Sequence, residues 1–173
     1  MKSSEEFSSI TDNQYHKRCK NRSFVFWVVF VEHGSLWTGI CEISVNRNTS
    51  VIKVHNFWIA LDAGTVVQPD NVRAQMEGGI LMGMSSVLKE QITKVDGKVQ
   101  QSNFRDYPLL RMTGTPDKIE TTILPSNEHP EGVGETATPM VAGAIANAFL
   151  KLTGKRLLHL PFSPDRVFAV LNG

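Results

Sequence analysis

At 173 residues the chain is long enough for one domain with a real core and too short for two large ones. Hydrophobic residues at 41% and charged residues at 20% exclude a disordered or fibrous chain, and a net charge of +1 excludes a dedicated nucleic-acid binder, which needs clustered basic excess. Cys19 and Cys41 are far apart, with no CxxC and no His at ligand spacing, so the pattern encodes neither a zinc site nor an iron–sulfur cluster.

Residues 1 to about 22 are polar and carry no period, as in a loose tail. The run FVFWVVFV, Phe24 to Val31, follows basic residues in the layout of a signal peptide, yet it is far shorter than the roughly 20 residues a spanning helix needs. A buried strand is the preferred reading and an untranslocated leader the alternative; no membrane span is expected. LWTGICEISV then alternates apolar Trp37, Cys41, Ile43 and Val45 with polar residues. The turn-rich NRNTS and a second strand in VIKVHNFWIALDAG follow, which predicts a β-hairpin over Leu36 to Ala60.

Gly64 and Pro69 interrupt the pattern, and Asp70 suits an N-cap. Val72, Met76, Ile80, Met84 and Val87 then recur at helical spacing. Gly78, Gly79 and Gly83 lie on or near one face of that helix, each costing about 1 kcal/mol relative to Ala. Such a density implies close approach by another backbone or by a ligand, and the pattern does not choose between them. DGK at Asp96 to Lys98 predicts a small hairpin, RDYPLLRMTGTPD a loop, and KIETTIL another strand. The long PSNEHPEGVGETATP connection leads into an apolar helix, Met140 to Leu152, ended by Gly154. A short strand is expected before Pro161, and a last helical turn or two after Pro164. The order β-β-α-β-β-β-α-β predicts an α+β (mixed α/β) domain, a largely antiparallel sheet with two main helices packed on one face.

Glu135 sits between a glycine pair and a small-residue helix, in a place where little water is expected. It is either a carboxylate held by a helix N-terminus or a general base beside glycines that admit a bound group. Gln75, in RAQMEGG, is either a solvated helix residue or an amide that binds a polar ring or phosphate. Glu77 reads as a surface charge, and His33, His55, His129 and His159 show no ligand spacing. Arg105, Asp106, Tyr107 and Arg111 suit a loop ion pair or an anion site. No GxGxxG, Walker loop, nucleophile elbow or HExxH is present.

Three segments in order, LDAGTVVQPDNVRAQMEGGILMGMSSVLKEQI, QQSNFRDYPLLRM and PEGVGETATPMVAGAIANAFLKLTGKRLLHLPF, together resemble the C-terminal part of the molybdopterin-binding large (beta) subunit of molybdenum hydroxylases. The isoquinoline 1-oxidoreductase and aldehyde oxidoreductase branch is the nearest and xanthine dehydrogenase is more distant. The likeness runs from about His33 to about Phe162. It implies an oxidoreductase that hydroxylates an N-heterocyclic aromatic or oxidises an aldehyde with water-derived oxygen. Glu135, at the glutamate of the family's GVGE, would be the base for a molybdenum-bound hydroxide. Gln75 would hydrogen-bond the pterin, and Gly132, Val133 and Gly134 would shape the loop near the metal. The molybdenum would be held by the pterin dithiolene and by no protein side chain.

The same resemblance implies molybdopterin in its cytosine dinucleotide form, with 2Fe-2S clusters on a small partner subunit. It also implies dependence on the remainder of a large subunit several times longer. On this reading 33–173 is a fragment of the molybdopterin-binding C-terminal domain, inactive in isolation, and 1–32 is a poorly matching segment, disordered or mis-framed. The compartment stays open, cytoplasmic by default for this chain and periplasmic for a parent complex. The family continues GVGE with Pro-Gly, whereas this chain has Thr136 and Ala137, a change able to shift the loop. The alternative function is a non-catalytic remnant or subunit-interaction module that retains the fold.

Overall fold

The computed structural model describes residues 35–173 together with the backbone of two short strands, β1 (Ser23–Val25) and β2 (Val29–Glu32). His33, Cys19 and the expected tail lie outside the described residues. The expected strand over Phe24 to Val31 is therefore seen as two pieces. Both run antiparallel along one edge of β3 (Ser35–Val45), with Val25 opposite Cys41 and Val29 opposite Thr38. β3 pairs along its other edge with β4 (Ile52–Asp62), which makes the predicted hairpin. Its turn is closed by Asn46, whose Oδ1 accepts from the amides of Asn48 and Thr49.

With β7 at Lys118–Ile123, the strand order is β1-β3-β4-β7, with β2 also on β3. β7 is parallel to β4, and the chain crosses between them through α1 (Pro69–Leu88). A parallel pair needs such a crossover, because a tight turn can join only antiparallel neighbours. The DGK hairpin is present but small, β5 (Lys94–Val95) with β6 (Lys98–Val99), separate from the main sheet.

Met76, Ile80, Met84 and Val87 are buried on α1, as the helical spacing predicts. Pro69 takes the first helical turn and Gln68 the cap position, so Asp70 is a first-turn acid paired with Arg73 at 2.8 Å and not the N-cap. α2 (Ala137–Thr153) begins a few residues before the expected Met140, and Gly154 ends it in the left-handed conformation at φ 74°. α1 and α2 pack against each other and on one face of the sheet, around fully buried Trp37, Phe57, Met140 and Phe149. Gly39 on β3 allows this approach, since a Cβ there would lie 2.5 Å from Met140 Sδ.

The strand expected before Pro161 does not form. That segment hydrogen-bonds to the end of α1, from Phe162 N to Val87 O, and not to a sheet edge. α3 (Pro164–Asn172) follows it, longer than the turn or two expected. Cys41 is a free thiol fully inside the core, and burial pushes its pKa far up. It acts there as a small apolar residue.

Candidate functional site

The connection from β7 into α2 is held against the ends of β3 and β4 before it turns into the helix. Leu124 N donates to Leu61 O, Thr65 N to Glu128 O, and Glu131 N to Ala63 O. The tight turn after β4 makes this possible. Gly64 has a φ of 68° and a Cβ on it would overlap the His129 carbonyl, so conformation and space both require glycine there. Ser35, at the start of β3, then donates from Oγ to Gly132 O at 2.8 Å.

From the other side α1 takes hold of the same loop. Gln75 Nε2 donates to Gly134 O at 3.2 Å, and Thr138 Oγ1 donates to Gly79 O at 3.2 Å. Thr136 Oγ1 lies 3.6 Å from Met76 Sδ, and Thr138 N donates to Glu135 O at 3.1 Å. Gln75, Gly132, Val133, Gly134 and Glu135, far apart in sequence, thus come together at one place. Val133 is half-buried against the core.

Glu135 itself is exposed, which corrects the expectation of a site little reached by water. α1 and α2 pack behind the loop, and nothing among the described residues covers its outer side. Gln75 is exposed as well, and its bond to the loop uses one amide hydrogen, leaving Oε1 and a second hydrogen for a ligand. Thr136 and Ala137, the departure from Pro-Gly, are both buried against α1. The Ala137 Cβ fits because the facing residue is Gly79, where an added Cβ would come within 3.0 Å of it. The helix absorbs the change while the loop stays anchored.

The glycines separate into two groups. Gly79 and Gly83 are filled by α2, since a Cβ on Gly83 would meet Thr138 O and Val141 at 2.8 Å. Gly78, Gly132 and Gly134 would meet nothing within 4 Å, and none has a positive φ. Nothing among the described residues requires glycine at those three positions. They leave open surface on α1 near Gln75 and on the loop before Glu135.

Among the other candidates, Asp106, Tyr107 and His55 make contacts within the fold. Asp106 accepts from Asn103 N and from Ser102 N and Oγ, and these bonds, that from Asn103 foremost, hold its carboxyl below the ordinary range. Tyr107 OH donates to Glu90 at 2.9 Å, which pushes the phenol pKa up. His55 is buried beside Ser44 Oγ at 2.7 Å, whereas His129 and His159 are exposed. Among the described residues no helix is long and apolar enough to cross a membrane. Sequence reasoning missed Ser35, because a serine 97 residues from its partner leaves no spacing signal. It also missed Thr138, a polar residue at a helix start that was there to be noticed.

The family description "Molybdopterin cofactor-binding domain" matches residues 6–116, more than half of the chain. This chain belongs to that family. The matched range includes Gln75 on α1 and ends before the loop of Glu135; it begins inside the segment 1–32 that the sequence reading sets apart.

Among relatives, the molybdopterin-domain chain is 41% identical over 125 residues to isoquinoline 1-oxidoreductase subunit beta of Brevundimonas diminuta, over 72% of this chain and 16% of the relative. It is 41% identical over 133 residues to the membrane-bound aldehyde dehydrogenase [pyrroloquinoline-quinone] of Gluconacetobacter polyoxogenes, over 77% of this chain and 17% of the relative. The chain thus spans less than a fifth of the length of either. Among solved structures, quinoline 2-oxidoreductase from Pseudomonas putida 86 has the same fold with a TM-score of 0.74 at 22% identity, over 80% of this chain and 19% of that one.

Proposed function

We propose that the chain forms one wall of the active site of a molybdenum hydroxylase large subunit, an enzyme that hydroxylates an N-heterocyclic aromatic or oxidises an aldehyde with oxygen from water. The observation that carries this reading is the Glu135 loop, anchored from β3 and α1 yet open outward at Gly132 and Gly134, with Gly78 of α1 equally open.

Glu135 acts as general base, taking at a carboxylate oxygen the proton released as water-derived oxygen adds to the electron-poor carbon. Gln75 hydrogen-bonds the pterin with Oε1 and its second amide hydrogen, while the first keeps the loop in place. Gly132, Val133 and Gly134 set the clearance. Molybdenum–molybdopterin, in the cytosine dinucleotide form, supplies the two-electron oxidation when bound. The remainder of the large subunit covers the exposed side of Glu135, and a small 2Fe-2S subunit carries the electrons away.

Molybdenum and pterin content, measured on the chain alone and after co-expression with the rest of a large subunit, tests the reading. Metal in the assembled form supports it, and metal in neither preparation would overturn it. In the loaded assembly Glu135→Gln is expected to abolish turnover with molybdenum retained; unchanged turnover refutes the base. A second reading, a non-catalytic interaction module, draws support from large apolar side chains left in the open, Val67 at 89% and Met82 at 68% exposure. A stable assembly without metal is its expected result.

A further inference from the structure

We infer that Ser35 is a positioning residue for Glu135, acting through the Gly132 carbonyl; this rests on the reading of Glu135 as the base. Ser35 is fully buried, and its Oγ donates to Gly132 O at 2.8 Å. It is the first residue of β3, paired with Glu32 of β2 and followed by Leu36, which pairs with Asp62 of β4, so its backbone is fixed by the sheet.

The loop it grips is Gly-Val-Gly followed by the carboxylate, a segment with an unusually large choice of backbone conformations. Glu131 N, bound to Ala63 O, fixes the chain one residue before Gly132, and Thr138 fixes it three residues beyond Glu135. Between those anchors, among the described residues, two side chains hold loop carbonyls, Ser35 on Gly132 and Gln75 on Gly134. Gln75 is exposed, where water competes for its bond, whereas Ser35 is shielded from water. The buried anchor therefore decides how many orientations the carboxylate samples. A general base that must meet one proton in one geometry loses rate when that sampling widens.

Amide hydrogen exchange of the chain itself tests the clamp without any cofactor. Ser35→Ala is expected to speed exchange of the loop's hydrogen-bonded amides, Glu131 on Ala63 O and Thr138 on Glu135 O, by roughly fivefold, the factor one buried hydrogen bond is worth, with β4 and the centre of α2 unchanged. Ser35→Thr, which keeps the hydroxyl, is expected to restore the slow rate. Loop exchange unchanged in Ser35→Ala overturns the inference. So does acceleration throughout the domain, which would mean a general packing role; the melting temperature, measured alongside, identifies that case.

In the molybdenum-loaded assembly Ser35→Ala is expected to lower kcat several-fold with KM and metal content retained. Ser35→Thr should restore kcat, as it restores slow exchange. A rise in KM or a loss of metal in place of the kcat loss, or no rescue by threonine, overturns the positioning role. If Glu135→Gln alone leaves turnover intact, the base reading falls, and the exchange experiment still judges the clamp.

Discussion

Two sets of glycines on neighbouring turns of this chain look alike in sequence and do opposite things in space. Gly79 and Gly83 disappear into the contact between α1 and α2, where a methyl group would strike Thr138, Val141 or Ala137. Gly78, Gly132 and Gly134 border the same helix and the same loop, yet each opens outward with room for a side chain. The first set is explained by packing within the domain. The second has no packing explanation among the described residues, and that clearance beside a glutamine and a glutamate is what the proposed binding role of this surface draws on.

Substitutions break or sharpen that contrast. The largest effect is expected at the internal glycine that anchors the loop. Gly64→Ala forces a side chain onto the His129 carbonyl in a left-handed backbone, and chemical denaturation should show a loss of about 3–4 kcal/mol. Gly83→Ala comes next, at about 1–3 kcal/mol by the same measurement, because α2 must move off to admit one methyl. A loss below about 0.5 kcal/mol would mean that the two helices are looser than described.

At Gly78 the sign reverses. Alanine there touches nothing and is a better helix former, so Gly78→Ala should stabilise the chain by about 1 kcal/mol. The same substitution should reduce molybdenum content in an assembled large subunit, and full metal loading would show that the clearance serves no ligand. The smallest effect concerns the loop of Tyr107, whose neutral phenol donates to Glu90 and whose pKa is raised by that bond. Its contribution is fully present below the ordinary phenol pKa near 10 and is lost as pH rises through the higher folded value. Melting temperatures of Tyr107→Phe and the parent should therefore converge in strong alkali, and a difference that persists there would discount the bond.

Much of the fold was legible because its signals are local. Alternation at Trp37, Cys41 and Ile43 marked β3, and Met76, Ile80 and Met84 at helical spacing marked α1. The cap failed by two positions, since Pro69 opens a helix as readily as Asp70 caps one. The strand before Pro161 failed for a different reason. KRLLHL has apolar residues enough, but its neighbour is the end of α1, and a strand without an edge to pair with does not form.

The candidate residues could be named from motifs, and their arrangement in space could not. Quoted motifs named Gln75 and the loop from Gly132 to Glu135, but the burial imagined for Glu135 is absent, because the helices lie behind the loop and leave its outer side bare. Sequence by itself determined the hairpin, the two main helices and the family likeness, since period and motif are written along the chain. Only tertiary structure decided which glycines are filled and which are open, that Gln75 grips the loop, and that Ser35 holds Gly132 from 97 residues away. Those are facts about distances between segments, set by the pairing of β3 with β4 and the packing of α1 on α2, and no local pattern of residues encodes them.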